Sequence, residues 1–173
     1  MYKCERKCCD IKFANNSPLY FKPHTTNYKA GAFIFDPKEQ RVLLVQSHQQ
    51  YWGPPKGTIE QNETAYECAI REVREETGLN INWKQMSKVT KIKNRAIYYY
   101  VEMKWADVQP QSGTDNDANG ITWIKLDCLE EFVKSGQIAL SDHCRIAFKR
   151  FLDKTFPKSN FVVVRRKKRF SIR

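Results

Sequence analysis

Two nearly continuous apolar runs, AGAFIFD (30–36) and VLLVQS (42–47), are separated by the short turn PKEQ (37–40), and together they constrain the fold most. Runs this short and this apolar, bounded by turn residues, predict a hairpin of mostly buried strands. Buried strands need cover, and the next 30 residues supply it. A loop rich in Gly and Pro, WGPPKG (52–57), leads to a segment in which Ala65, Ala69, Ile70 and Val73 recur at helical spacing. Asn62 or Thr64 marks its start and Gly78 its stop, the residue suited to a left-handed turn. The result is an amphipathic helix whose charged residues fall away from the apolar stripe.

Downstream, WKQMSKVTKIK (83–93), AIYYYVEMKW (96–105) and GITWIKL (120–126) predict further strands, and QPQSGTDNDANG (109–120) a polar loop. DCLEEFVKSG (127–136) predicts a short helix and SDHCRIAFKRFLDKTF (141–156) a longer one capped by Ser141 or Asp142. Sheet elements flanked by helices give an α/β class, a sandwich with a mixed sheet. The expected organisation is an N-terminal arm at 1–27, interrupted by Pro18 and Pro23, one domain at 28–156 and a basic tail at 157–173. At 173 residues and 41% hydrophobic content, the chain can bury one core.

Lys+Arg 30 against Asp+Glu 19 leaves a formal net charge of +11. Such an excess favours polyanionic partners such as RNA, nucleotides or acidic membrane surfaces, with a merely soluble basic protein as the alternative. No window approaches the ~20 apolar residues that cross a bilayer, and the start MYKCERKCCDIKF alternates charge with Cys, so the expectation is a cytoplasmic monomer with no membrane partner. Six cysteines (4, 8, 9, 68, 128 and 144) fit no disulfide framework and are expected to be reduced. Cys4, Cys8 and Cys9 could form one side of a metal site. Zinc takes four ligands, however, and no paired Cys or His motif follows them, so they are expected to be structural or without a role.

The chemistry concentrates on the helix. Glu72, Glu75 and Glu76 stand at i, i+3 and i+4 and share one arc of its surface. Like charges at this spacing cost a helix a few tenths of a kcal/mol per pair, for which a divalent cation would compensate. Carboxylate oxygens suit Mg²⁺ or Mn²⁺, which complete their shells with water and substrate phosphates. Taken alone, such a cluster could equally be a solvated face neutralised by Arg71 and Arg74.

Gly57, Glu63, Arg71, Glu72, Val73, Glu75, Glu76, Gly78 and Leu79 fill every position of G-x5-E-x7-R-E-U-x-E-E-x-G-U, where U is aliphatic. This pattern resembles the Nudix box, and the resemblance implies the Nudix fold and a metal-dependent hydrolase cleaving a phosphoanhydride. It further implies Glu72, Glu75 and Glu76 as metal ligands, with a carbonyl contribution from Gly57 or Lys56, and Glu72 or Glu75 as catalytic groups. Arg71 and Glu63 would be the pair that orients them. An ordinary salt bridge of Arg71 to Glu67 or Glu75 is the alternative.

VLLVQS, YWGPPKGTIEQNE and CAIREVREETG resemble most closely the mRNA decapping branch of that family, over roughly residues 29–80. That branch carries a further acidic residue six positions before a strand Trp, which from Trp123 falls on Asp117. The family usually has Glu there, and a solvated acidic turn is the alternative. Lys56, Trp52 and Tyr99 are the candidate substrate contacts, within an aromatic supply that also includes Tyr98, Tyr100 and Trp105. For RNA the candidates are Lys149, Arg150 and Lys154 and the tail residues Arg165, Arg166, Lys167, Lys168 and Arg169, since each phosphate contact adds affinity; a nuclear-localisation-like or merely solubilising tail is the alternative. The expected substrate is capped RNA. WGPPKGTIE also resembles dinucleoside tetraphosphate hydrolases, and related inositol-pyrophosphate phosphatases favour basic pockets. A silent RNA- or nucleotide-binding module is the third reading.

Overall fold

The computed structural model describes residues 4–14, 28–47, 51–111 and 118–153. Among the described residues eight strands form one sheet: β1 (Asp10–Phe13), β2 (Lys29–Asp36), β3 (Arg41–Ser47), β4 (Tyr51–Gly53), β5 (Lys56–Thr58), β6 (Met86–Ile92), β7 (Ala96–Glu102) and β8 (Ala118–Lys125). The main path runs β1-β8-β3-β2-β7-β6, with β4 on β3 and β5 on β2. The pairing of β2 with β7 is parallel and the other strand pairings are antiparallel. The expected hairpin is therefore real but short. β2 and β3 pair only at Phe35–Val42 and Asp36–Arg41 before they part, β2 towards β7 and β3 towards β8.

Alternation along these strands divides the interior into two cores. Phe33, Phe35, Val42, Leu44, Tyr98 and Ile124 face α2 (Leu126–Lys134) and α3 (Asp142–Leu152), meeting Leu129, Phe132, Phe148 and Phe151. Ala32, Ile34, Leu43, Val45, Val101 and Trp123 face the other way, towards Val73 of α1 (Ala65–Thr77). Both faces of β2 are thus covered, which is why its sequence is apolar throughout instead of alternating. Phe33 meets Phe148 edge to face at 5.0 Å.

The helix limits follow their chemistry. Thr64 caps α1 in a capping box: its hydroxyl accepts from Glu67 N–H while the Glu67 carboxylate accepts from Thr64 N–H, an arrangement worth about 1 kcal/mol. Gly78 ends the helix at φ 73°, in the left-handed region. Ser141 caps α3 through Cys144 N–H, and α3 ends at Leu152, short of the expected 156. The segment 83–93 divides into a 3₁₀ turn, Trp83–Gln85, and β6. No helix among the described residues is long and apolar enough to cross a membrane.

The expected arm is partly built into the sheet. β1 pairs with β8 from Asp10–Trp123 to Phe13–Gly120, and Phe13 stands edge-on to Trp52 at 6.2 Å.

Candidate active site

Two short strands and one helix meet at the N-terminal end of β2. β5 lies on β2, with Gly57 opposite Ala30, which brings the Pro55–Thr58 backbone over the first three turns of α1. There the Arg71 guanidinium is a hub. Its Nε and Nη2 donate to the two oxygens of Glu63 at 2.8 and 2.9 Å, a bidentate fork. Nη1 donates to Glu72 at 2.8 Å and Glu75 at 3.0 Å, and Nη2 also reaches the carbonyl of Thr58 at 3.0 Å. The hydrogen bonds to Arg71 hold the Glu63 carboxyl below its ordinary range, and Glu63 in turn raises the Arg71 pKa, which the Glu72 charge also favours.

Glu76 takes a different partner. It is 3% exposed and accepts a hydrogen bond from the Lys56 backbone N–H at 2.8 Å. The three helix carboxylates therefore share a side of α1 but divide between Arg71 and the β5 backbone. Gly57 makes this closeness possible, because a Cβ there would overlap the Glu72 carboxylate. The Cys68 thiol, pushed up to about 12 chiefly by burial and then by the Glu63 and Glu72 charges, stays protonated and donates to Gly57 O at 3.8 Å.

Glu63, Glu72 and Glu75 converge on the Arg71 guanidinium and Glu76 on the Lys56 N–H, so four carboxylates gather where α1 meets β5. Carboxylate oxygens beside the Gly57 carbonyl fit a hard divalent ion such as Mg²⁺ or Mn²⁺. The Glu72 carboxylate occupies the place a Gly57 side chain would take, which sets it against the β5 backbone.

A residue missed in the sequence borders the site. His143, in the first turn of α3, hydrogen-bonds Tyr98 Oη through Nδ1 at 3.2 Å. Burial lowers its pKa, and the charges of Lys56 and Arg95 lower it further. A lone His beside a helix cap carries no sequence signal; the β4–α3 contact brings it there.

Other expected contacts fall elsewhere. Trp52 is fully buried between Phe13 and Gly120, with Trp52 N–H donating to Ala139 O at 2.8 Å, so it corrects to a core residue with no face for a base. Tyr99 is half-buried and lines a groove of about 530 Å³ with Tyr66, Trp83, Met86 and Val89, which none of the three glutamates lines. Tyr98 and Tyr100 are buried in the α2–α3 core. Trp105 lies by Asp36, about 20 Å along β2 from Ala30, under the Arg41 guanidinium. Lys149 is exposed, whereas Arg150 bonds Thr90 Oγ1 and Lys91 O at 2.6 Å, tying α3 to β6. Asp117, Lys154 and Arg165–Arg169 lie outside the described residues.

Residues 25–142 match the NUDIX domain family. Over 132 residues the chain is 28% identical to the 111R protein of Invertebrate iridescent virus 3, covering 72% of this chain and 77% of that one. It is 36% identical over 106 residues to the m7GpppN-mRNA hydrolase dcap-2 of Caenorhabditis elegans, covering 57% of this chain but only 14% of that protein. The NUDIX domain of Shewanella oneidensis NrtR, solved with ADP ribose, superposes with a TM-score of 0.54 at 19% identity, over 80% of this chain and 93% of that one. The chain belongs to the Nudix family, and its activity class is that of a Nudix pyrophosphohydrolase.

Proposed function

We propose that this chain removes the cap from RNA, releasing m7GDP and RNA with a 5′-monophosphate, with Mg²⁺ or Mn²⁺ bound by Glu72, Glu75, Glu76 and the Gly57 carbonyl. The observation that carries the reaction is the gathering of Glu63, Glu72 and Glu75 on Arg71, with Glu76 on the Lys56 N–H, beside the Gly57 backbone. When bound, such ions neutralise a diphosphate and lower the pKa of a coordinated water. Arg71 and Glu63 hold Glu72 and Glu75 in fixed rotamers, since loosely held carboxylates coordinate poorly. Glu76, fixed by Lys56 N–H, is kept on the same side. The Lys56 ammonium offers a positive charge to a substrate phosphate.

Capped RNA is favoured by the kinship with dcap-2 and by the +11 net charge, to which the exposed Lys149 and the tail residues contribute. The tail would supply the polyanion affinity that a cap alone, a small handle, cannot. The test is to incubate the full chain with Mg²⁺ or Mn²⁺ and either cap-labelled RNA or diadenosine tetraphosphate. Release of m7GDP, sensitive to salt and weakened by deleting 157–173, is the expected result. Cleavage of the free dinucleotide alone would overturn the RNA reading, and absence of turnover on either would overturn hydrolysis of both.

A further inference from the structure

Away from α1, the fold brings four cysteines together at the junction of β8 and α2. Cys4, Cys8 and Cys9 come from the N-terminal segment and Cys128 from the first turn of α2, and their sulfurs all lie within 4.8 Å of one another. Cys8 Sγ is 3.7 Å from Cys4, 3.6 Å from Cys9 and 3.2 Å from Cys128, while Cys4 and Cys128 are 3.9 Å apart. All four are free thiols.

We infer that Cys4, Cys8, Cys9 and Cys128 form a structural zinc site that fastens the N-terminal segment to the β8–α2 corner. Zinc–thiolate bonds of about 2.3 Å in a tetrahedron put neighbouring sulfurs about 3.8 Å apart, and the observed separations bracket that edge. A disulfide needs about 2.05 Å, and no sulfur pair recorded here approaches it. Four thiolate ligands describe a closed, structural site rather than a catalytic one, which keeps a position for water or substrate.

The backbone is arranged as a chelating loop. Lys7 adopts φ 50° and Lys7 N–H donates to Cys4 O at 3.0 Å, a tight turn that returns Cys8 and Cys9 towards Cys4. Lys125, the residue before α2, has no side-chain cap for the helix, and its N–H donates to Cys9 Sγ at 3.4 Å. N–H donation to sulfur stabilises a thiolate, the form a metal requires. The sequence spacing C-x3-C-C showed only three of the ligands, since Cys128 stands 119 residues beyond Cys9 and joins them only because β1 pairs with β8.

The site is chemically distinct from the α1 carboxylates: soft sulfur selects zinc, hard oxygen selects Mg²⁺ or Mn²⁺. Its effect would be on the fold. Holding Cys4–Cys9 holds β1, and β1 carries Phe13 onto Trp52 and Gly120.

The experiment uses the full chain, purified under reducing conditions without chelator and dialysed against Mg²⁺. The expected result is one zinc per chain by elemental analysis, released when the thiols are titrated with an organomercurial. Cobalt exchanged into the same chain should show sulfur-to-cobalt charge transfer and the intense visible bands of a tetrahedral all-thiolate site. Cys8→Ser and Cys128→Ser should lose that equivalent and those bands, and Cys144→Ala should keep both. A chain without zinc whose cobalt complex lacks sulfur charge transfer would overturn the proposal. So would an intact mass two hydrogens lighter, the mark of a disulfide within the cluster. The cobalt spectrum is read on the unaltered chain, so a variant that fails to fold does not spare the inference.

Discussion

The acidic side of α1 and the cysteine corner at the start of α2 both gather ligand atoms, but by opposite routes. On α1, Glu72, Glu75 and Glu76 are neighbours in sequence, and helical geometry alone places them on one side. Their mutual repulsion is relieved locally by Arg71, and a single glycine makes room for the closest of them. At the corner, three cysteines of a turn meet a fourth from 119 residues further on, through the pairing of β1 with β8. A site written in consecutive helix positions is legible before folding. A site written across a strand pairing appears only after it.

That contrast can be broken most sharply on the α1 side. Glu76→Gln keeps the shape of the side chain and one acceptor oxygen for the Lys56 N–H but removes its charge, and should lower metal-dependent kcat on the order of 10³-fold. Circular dichroism should be unchanged, and near-normal turnover would show that Glu76 is not a ligand. Gly57→Ala should cost about 10²-fold through displacement of Glu72 by roughly an ångström, with folding largely preserved. Arg71→Lys keeps the charge and loses the fork, so activity should fall by about 10- to 100-fold, with a raised metal requirement as the distinguishing readout.

Two smaller effects address stability. The Glu63 carboxyl is held low by Arg71, so its stabilising contribution is complete above its ordinary value of 4.5 and is lost as pH falls through the lowered folded value. A Glu63→Gln chain should therefore show a flatter acid limb in thermal melts than the parent, below pH 4.5. Phe13→Ala, on a residue 45% exposed, should cost about 1 kcal/mol, leave kcat unchanged, and test whether the N-terminal segment serves the fold alone.

Five of the eight described strands, the α1 limits and the α/β class were legible, because apolar runs marked the strands and Thr64 and Gly78 punctuated the helix; β1, β4 and β5 fall in segments read as an arm and a loop. The splaying of β2 from β3 was not, since two apolar runs joined by a short turn look like one hairpin whichever other strands they pair with. Trp52 misled because a Trp in a Gly/Pro loop resembles an exposed platform, whereas β4 pairing and Phe13 bury it. Arg150 has partners the sequence did not show: exposed on its helix, it also bonds Thr90 and Lys91 of β6. His143 and Cys128 gave no local signal, because what distinguishes each is a neighbour remote in sequence.

The most direct test of the central claim is a Mn²⁺ titration followed by electron paramagnetic resonance, comparing the parent chain with a Glu72→Gln, Glu75→Gln, Glu76→Gln variant. Saturable binding by the parent, abolished in the folded variant while zinc content stays the same, is the result predicted. Equal Mn²⁺ binding by both chains would contradict the assignment of the α1 carboxylates as the metal-holding group.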